Sequence, residues 1–155
     1  MTAANRATRR AAAVAAVVLV GDQLTKELVR RSIALGDSRH VLPGVTLVHA
    51  QNSGIAFSLF AGSEVGVVAV AAVILAVVLT YFARHREQPW MWLACGLIVG
   101  GAVGNLVDRL RLGMVTDFIK LPDWPAFNLA DASITFGVLA LLWVVGRSGA
   151  AARPA

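Results

Sequence analysis

Charge, cysteine and histidine are all scarce in this 155-residue chain. Charged residues make up 15% of it and hydrophobic residues 57%, against roughly a quarter and somewhat under half in soluble domains. A water-soluble fold of this size would expose more apolar surface than solubility tolerates. The single cysteine, Cys95, excludes a disulfide-stapled secreted module, and the apolar content excludes intrinsic disorder. The histidines, His40, His49 and His85, are expected in loops and have no metal-ligand spacing. H-E-x-x-H is absent, which excludes a zinc protease of that type. There is no G-x-S-x-G and no histidine inside an apolar run, so a serine hydrolase is excluded too. A membrane protein remains.

The net charge of +5 does not indicate nucleic acid, because the basic residues form no stripe. They stand beside apolar runs, as anchors of membrane helices do. Val65–Ala83 and Pro89–Val107 are each uncharged over 19 residues, close to the ~20 a spanning helix needs. Ala126–Gly146 is interrupted only by Asn128 and Asp131. The first apolar run, Ala11–Gly21, is short and must continue through Asp22 and Lys26 to cross. The reading is an all-α membrane protein in one domain, 1–155. Its four transmembrane helices cover about 10–29, 65–83, 89–108 and 126–146, with an outer loop at about 30–64.

Lys and Arg divide evenly between the two sides, so the N-terminal cluster and the short 83–88 turn decide orientation: both termini cytoplasmic. The acids divide unevenly, with Glu87 on the side of the termini and the other eight opposite. The working face is therefore expected outside. Val45–Ser58, around the turn signal Asn52-Ser53-Gly54, is expected to form a small β-rich extracytoplasmic subdomain, and Met114–Ile119 reads as a strand.

Ionisable groups at membrane depth are costly and face a bundle interior or a cavity. Asp22, Thr25 and Lys26 share one helix face at the outer end of the first span. Asn105, Asp108 and Arg109 repeat that spacing in the third. Asn128 and Asp131, with Thr135 a turn further, open the fourth. Each group also has a structural reading: an intrahelical pair for Asp22 and Lys26, an anchor for Asp108 and Arg109, a cap and a first-turn acid for Asn128 and Asp131. Their convergence on one edge describes a site. Two neighbouring carboxyls in a poorly solvated site share a proton, and one activates water while the other protonates the leaving group, with no cofactor. Asp22, Asp108, Asp117 and Asp131 allow six such pairs, and spacing alone does not choose among them.

Five strings resemble those of lipoprotein signal peptidase (signal peptidase II), the four-span aspartic peptidase family of the bacterial inner membrane. They are Asp22–Lys26, Asn52–Phe57, Gly100–Arg109, Gly113–Phe118 and Trp124–Asp131, in order and at the ends of the right spans. Ser53 stands where glycine is more usual. The resemblance implies that Asp117 and Asp131 are the catalytic pair. Asn105, Asp108, Arg109 and Asn128 would surround it, and Asp22, Lys26 and Asn52 would support the site or the substrate. It implies cleavage of the signal peptide from diacylglyceryl-modified prolipoproteins, N-terminal to the lipidated cysteine. Membrane lipid is then a further partner, and a monomer suffices. Two rivals are a magnesium-dependent membrane lipid phosphotransferase, which needs a denser acidic motif, and a small proton-coupled transporter, whose acid belongs nearer the midplane.

Overall fold

A computed structural model describes residues 2–53 and 64–151. The order is α1 (Ala3–Ser32), β1 (Ser38–Leu42), β2 (Val45–Asn52), α2 (Glu64–His85), α3 (Met91–Leu112), β3 (Val115–Lys120) and α4 (Leu129–Ala151). Among the described residues three helices are long and apolar enough to cross a membrane, over Gly66–His85, Met91–Leu112 and Leu129–Arg147. With the small sheet they make a mostly helical molecule.

α1 falls outside that group because of its charges, and their placement is the reverse of a soluble helix. Asp22 and Lys26 are buried, while Val17, Val20, Leu24 and Leu28 are exposed along one face. The helix is 30 residues long, roughly 45 Å at 1.5 Å per residue.

α3 is the central helix and touches α1, α2 and α4. Its glycines make this possible. A Cβ on Gly100 would lie 2.7 Å from the Ala15 carbonyl oxygen of α1, and one on Gly101 would collide with the Ala130 carbonyl oxygen of α4. Small residues at such points let helix backbones approach without a hydrophobic driving force between them. At one end of the bundle Ala11, Phe82, Met91, Cys95 and Val144 pack into an apolar cluster. The Cys95 thiol sits against Met91 Sδ at 3.8 Å, as a small core residue.

The sheet runs β1-β2-β3, antiparallel throughout. A hairpin that the sequence reading does not foresee joins its first two strands. β2 turns back on β1 through Pro43–Gly44, where Gly44 has φ +77°, a conformation that glycine adopts without penalty. The expected turn at Asn52–Gly54 and the segment beyond it, as far as Ser58, pass outside the described residues at position 54. His40 and His49 stand in strands rather than loops, and His85 ends α2. The expected strand at Met114–Ile119 is β3, one residue later. Leu47, Phe118 and Ile119 of the sheet pack on Val29 and Ile33, seating it on the end of α1.

Candidate active site

α3 ends at Gly113, whose φ of +74° lets its N–H bond back to the Arg109 carbonyl. The chain enters β3 directly, and the Asp108 carboxylate accepts the Thr116 N–H at 3.0 Å. β3 thus starts under the end of α3. The connection that follows folds back along the strand, Ile119 and Phe127 exchanging both backbone hydrogen bonds. That return delivers Asn128 to the side of Asp117.

Asn128 then opens α4. Its Oδ1 accepts the Asp131 N–H at 2.9 Å, and its own N–H donates to Asp131 Oδ2 at 3.1 Å. This reciprocal capping satisfies two backbone donors at a helix start. A third, the Ala130 N–H, donates to Asp22 Oδ1 from α1 at 3.0 Å. The structural reading of Asn128 and Asp131 therefore holds alongside any chemical one.

The same amides reach both carboxyls. Asn128 Nδ2 donates to Asp117 Oδ1 at 2.7 Å, and Asn105 Nδ2 donates to Asp131 Oδ1 at 2.8 Å. The Asn105 Oδ1 accepts from Asn128 Nδ2 at 3.1 Å and from Lys26 Nζ at 2.9 Å. An ammonium only donates, so Lys26 fixes which end of the Asn105 amide faces Asp131. Asn52, from the end of β2, donates to the other Asp117 oxygen at 3.1 Å.

Behind this layer lies a buried charge cluster. Lys26 Nζ is 2.8 Å from Asp22 Oδ2 and 3.3 Å from Asp108 Oδ2, and all three residues are at most 1% exposed. Gln23 Nε2 bridges Asp22, Asp108 and the Gly104 carbonyl at 3.1–3.2 Å. Buried ions are tolerable only when paired and hydrogen-bonded in this way. Gly104 makes the space, since a Cβ there would lie 2.6 Å from Asp22 Oδ2.

Asp117 is 2% exposed. Burial pushes its carboxyl up from 3.8 to about 6; the Asp131 charge adds to this, while the bonds from Asn52 and Asn128 and the Lys26 charge oppose it. Arg109 is half-buried, its Nη1 lying 3.4 Å from the Asn105 carbonyl. With Asn105 it closes one end of an apolar groove of about 350 Å³ between α2, α3 and α4, walled by Val70, Ile74, Ile98 and Ile134.

Every site residue named from the sequence thus lies in or beside one network: Asp22, Lys26, Asn52, Asn105, Asp108, Arg109, Asp117, Asn128 and Asp131. Among the described residues Thr25 and Thr135 stand apart from it, each hydroxyl donating to a carbonyl of its own helix. Gln23, Arg30 and Thr116 join it unforeseen. Arg30 continues the spacing of Asp22 and Lys26 by four residues, a signal that was present in the sequence. Among the described residues no three His, Cys, Asp or Glu side chains are placed to hold a metal ion.

The profile of signal peptidase (SPase) II matches residues 14–146. The chain belongs to the signal peptidase II family. This is a family of membrane proteases, aspartic in type, and the phosphotransferase and transporter readings are left without support. The lipoprotein signal peptidase of Pelotomaculum thermopropionicum is 41% identical over 134 residues, 85% of this chain and 88% of that one. That of Dehalococcoides mccartyi is 38% identical over 129 residues, 80% and 81% of the two chains. A bacterial membrane enzyme solved in meso at 2.3 Å superposes with a TM-score of 0.85 at 28% identity, covering 94% of this chain and 92% of its own. The signal peptidase II match takes in every residue of the network, from Asp22 to Asp131.

Proposed function

We propose that the chain cleaves the signal peptide from diacylglyceryl-modified prolipoproteins, N-terminal to the lipidated cysteine, with Asp117 and Asp131 as the catalytic pair. One observation carries the assignment of the pair. Among the four candidate aspartates, Asp22 and Asp108 are occupied by Lys26 and Gln23, whereas Asp117 and Asp131 are tied together through Asn105 and Asn128.

The pair works in its singly protonated form. The ionised carboxyl takes a proton from a water, whose oxygen attacks the scissile carbonyl, while the protonated one donates to that carbonyl's oxygen. As the gem-diol collapses, one of its hydroxyl protons returns to the second carboxylate, the C–N bond breaks, and the proton taken from water goes to the leaving amine, which restores the singly protonated pair. Burial raises the Asp117 carboxyl to about 6, and the proton that the two acids share belongs to the pair as a unit. Asn105 and Asn128 hold the two carboxyls in register, Arg109 closes the groove beside them, and Asp22, Lys26 and Asp108 brace the helices behind.

α1 completes a four-span bundle in this reading, since its lipid-side face is apolar and its charges lie within. Both termini are cytoplasmic and the pair faces the outer leaflet, where water reaches it. The groove receives an apolar segment laterally from the membrane, and exposed Trp124 lies at the interface. One chain supplies every group, so a monomer suffices. The test is incubation of purified protein with lipidated prolipoprotein, its unlipidated form as control. Release of signal peptide from the lipidated form alone is expected; equal cleavage of both, or of neither, overturns the substrate assignment.

A further inference from the structure

The residue before Asp117 is held at every polar atom it has. Thr116 is 1% exposed. Its N–H donates to Asp108 of α3 at 3.0 Å, its carbonyl accepts from Asn128 at 3.3 Å, and its hydroxyl accepts from Arg30 Nη1 of α1 at 3.1 Å. Side chains alternate along a strand, so the hydroxyl faces α1 while the Asp117 carboxyl faces the asparagines. Arg30 is itself pinned. Its Nε and Nη2 both bond Glu27 Oε2, at 3.2 and 3.0 Å, which leaves Nη1 aimed at Thr116 with Asp108 Oδ1 3.9 Å away. An apolar side chain would fill the same volume, so the hydroxyl's contribution is the bond to α1.

We propose that Thr116 and Arg30 are positioning residues for Asp117, their bond locking β3 against α1 and so setting where the carboxyl meets Asn52 and Asn128. The inference rests on the reading of Asp117 as catalytic. The bonds that place the carboxyl, 2.7 Å from Asn128 and 3.1 Å from Asn52, lengthen if β3 slips. Misplacement of a catalytic group by 1 Å can cost on the order of a hundredfold in rate.

The test uses the full-length protein in lipid, with lipidated prolipoprotein as substrate, over a pH series. Thr116→Val and Arg30→Met, singly and together, are compared with Thr116→Ser and Asp117→Asn. Each of the first two is expected to lower kcat on the order of tenfold with KM unchanged. Each also moves the alkaline limb of the pH profile upward, because weaker bonds to the ionised Asp117 favour its protonated form. The double variant falls no further than either single one, and Thr116→Ser restores the rate. Multiplying losses in the double variant, a wild-type profile in Thr116→Val, or failure of serine to restore the rate overturns the proposal. If valine is not accommodated, the partly exposed Arg30 position carries the same comparison through Arg30→Met. Near-normal cleavage by Asp117→Asn overturns the catalytic reading and this one with it. An inactive Asp117→Asn beside an unaltered Thr116→Val overturns this one alone.

Discussion

The two ends of the helical bundle are closed by opposite materials. One end is sealed by Ala11, Phe82, Met91, Cys95 and Val144, with no ionisable group in the cluster except the Cys95 thiol. The other is filled by Asp22, Lys26, Asn105, Asp108 and Asn128, all buried and joined to one another. The same helices α1, α3 and α4 run through both ends. Apolar packing makes one end tolerant of volume-conserving exchange. The polar end has directional bonds, so each member fixes the orientation of the next. Stability lives at both ends, and positional accuracy lives at one.

The largest effect expected from breaking this contrast is on the acids themselves. Asp117→Asn and Asp131→Asn each lower cleavage of lipidated precursor by at least roughly a hundredfold, the scale of one general acid or base. Single-turnover rates check this, with unchanged melting temperature as the control.

Next comes a matched pair of substitutions, one at each end. Lys26→Met strands Asp22 and Asp108 without their counter-ion and costs about 3–5 kcal/mol of stability, together with activity, because the Asn105 amide is freed to turn. Met91→Ala removes packing at the apolar end and costs about 2–5 kcal/mol with kcat unchanged. Thermal unfolding and kinetics on both variants separate the two outcomes; equal loss of kcat would erase the distinction between the ends.

Gly101→Ala probes the junction between them. Its methyl meets the Ala130 carbonyl, pushing α4 from α3 at a cost of about 1–3 kcal/mol and lowering kcat through Asn128 and Asp131.

The smallest effect is in pH. As pH rises through about 6, the Asp117 proton is lost and activity falls. Asn52→Ala removes a bond to the ionised form, so this limb moves upward. Linkage gives stability the same sign. The fold holds the Asp117 proton more tightly than the unfolded chain does, since 3.8 becomes about 6. The contribution is therefore full below about pH 4 and is lost between 4 and 6. Melting curves across that range test it.

The sequence made the site more legible than the sheet. Charged residues in an apolar chain mark themselves, and Asp22, Asn105, Asp108, Asn128 and Asp131 could be placed at common helix ends by spacing alone. Choosing Asp117 with Asp131 among six pairs took the family resemblance, because the choice depends on which acids Lys26 occupies. β1 and the Pro43–Gly44 hairpin passed unseen, the segment being short and exposed with no alternation to declare it. Gln23 and Thr116 were missed for another reason. Their side-chain partners are far off in sequence, Gln23 from Asp108 by 85 residues and Thr116 from Arg30 by 86, and nothing local announces such a contact.

The bond from the Ala130 N–H to Asp22 has a consequence in time. α4 is synthesised well after α1, yet part of its opening turn is completed by an acceptor from α1, 108 residues earlier. A nascent chain that has made α1 to β3 holds Asp117 but lacks Asn128, Asp131 and the group that seats Asp22. If Asp117 and Asp131 are the catalytic pair, as proposed, cleavage therefore has to wait until α4 has been made and has closed on α1.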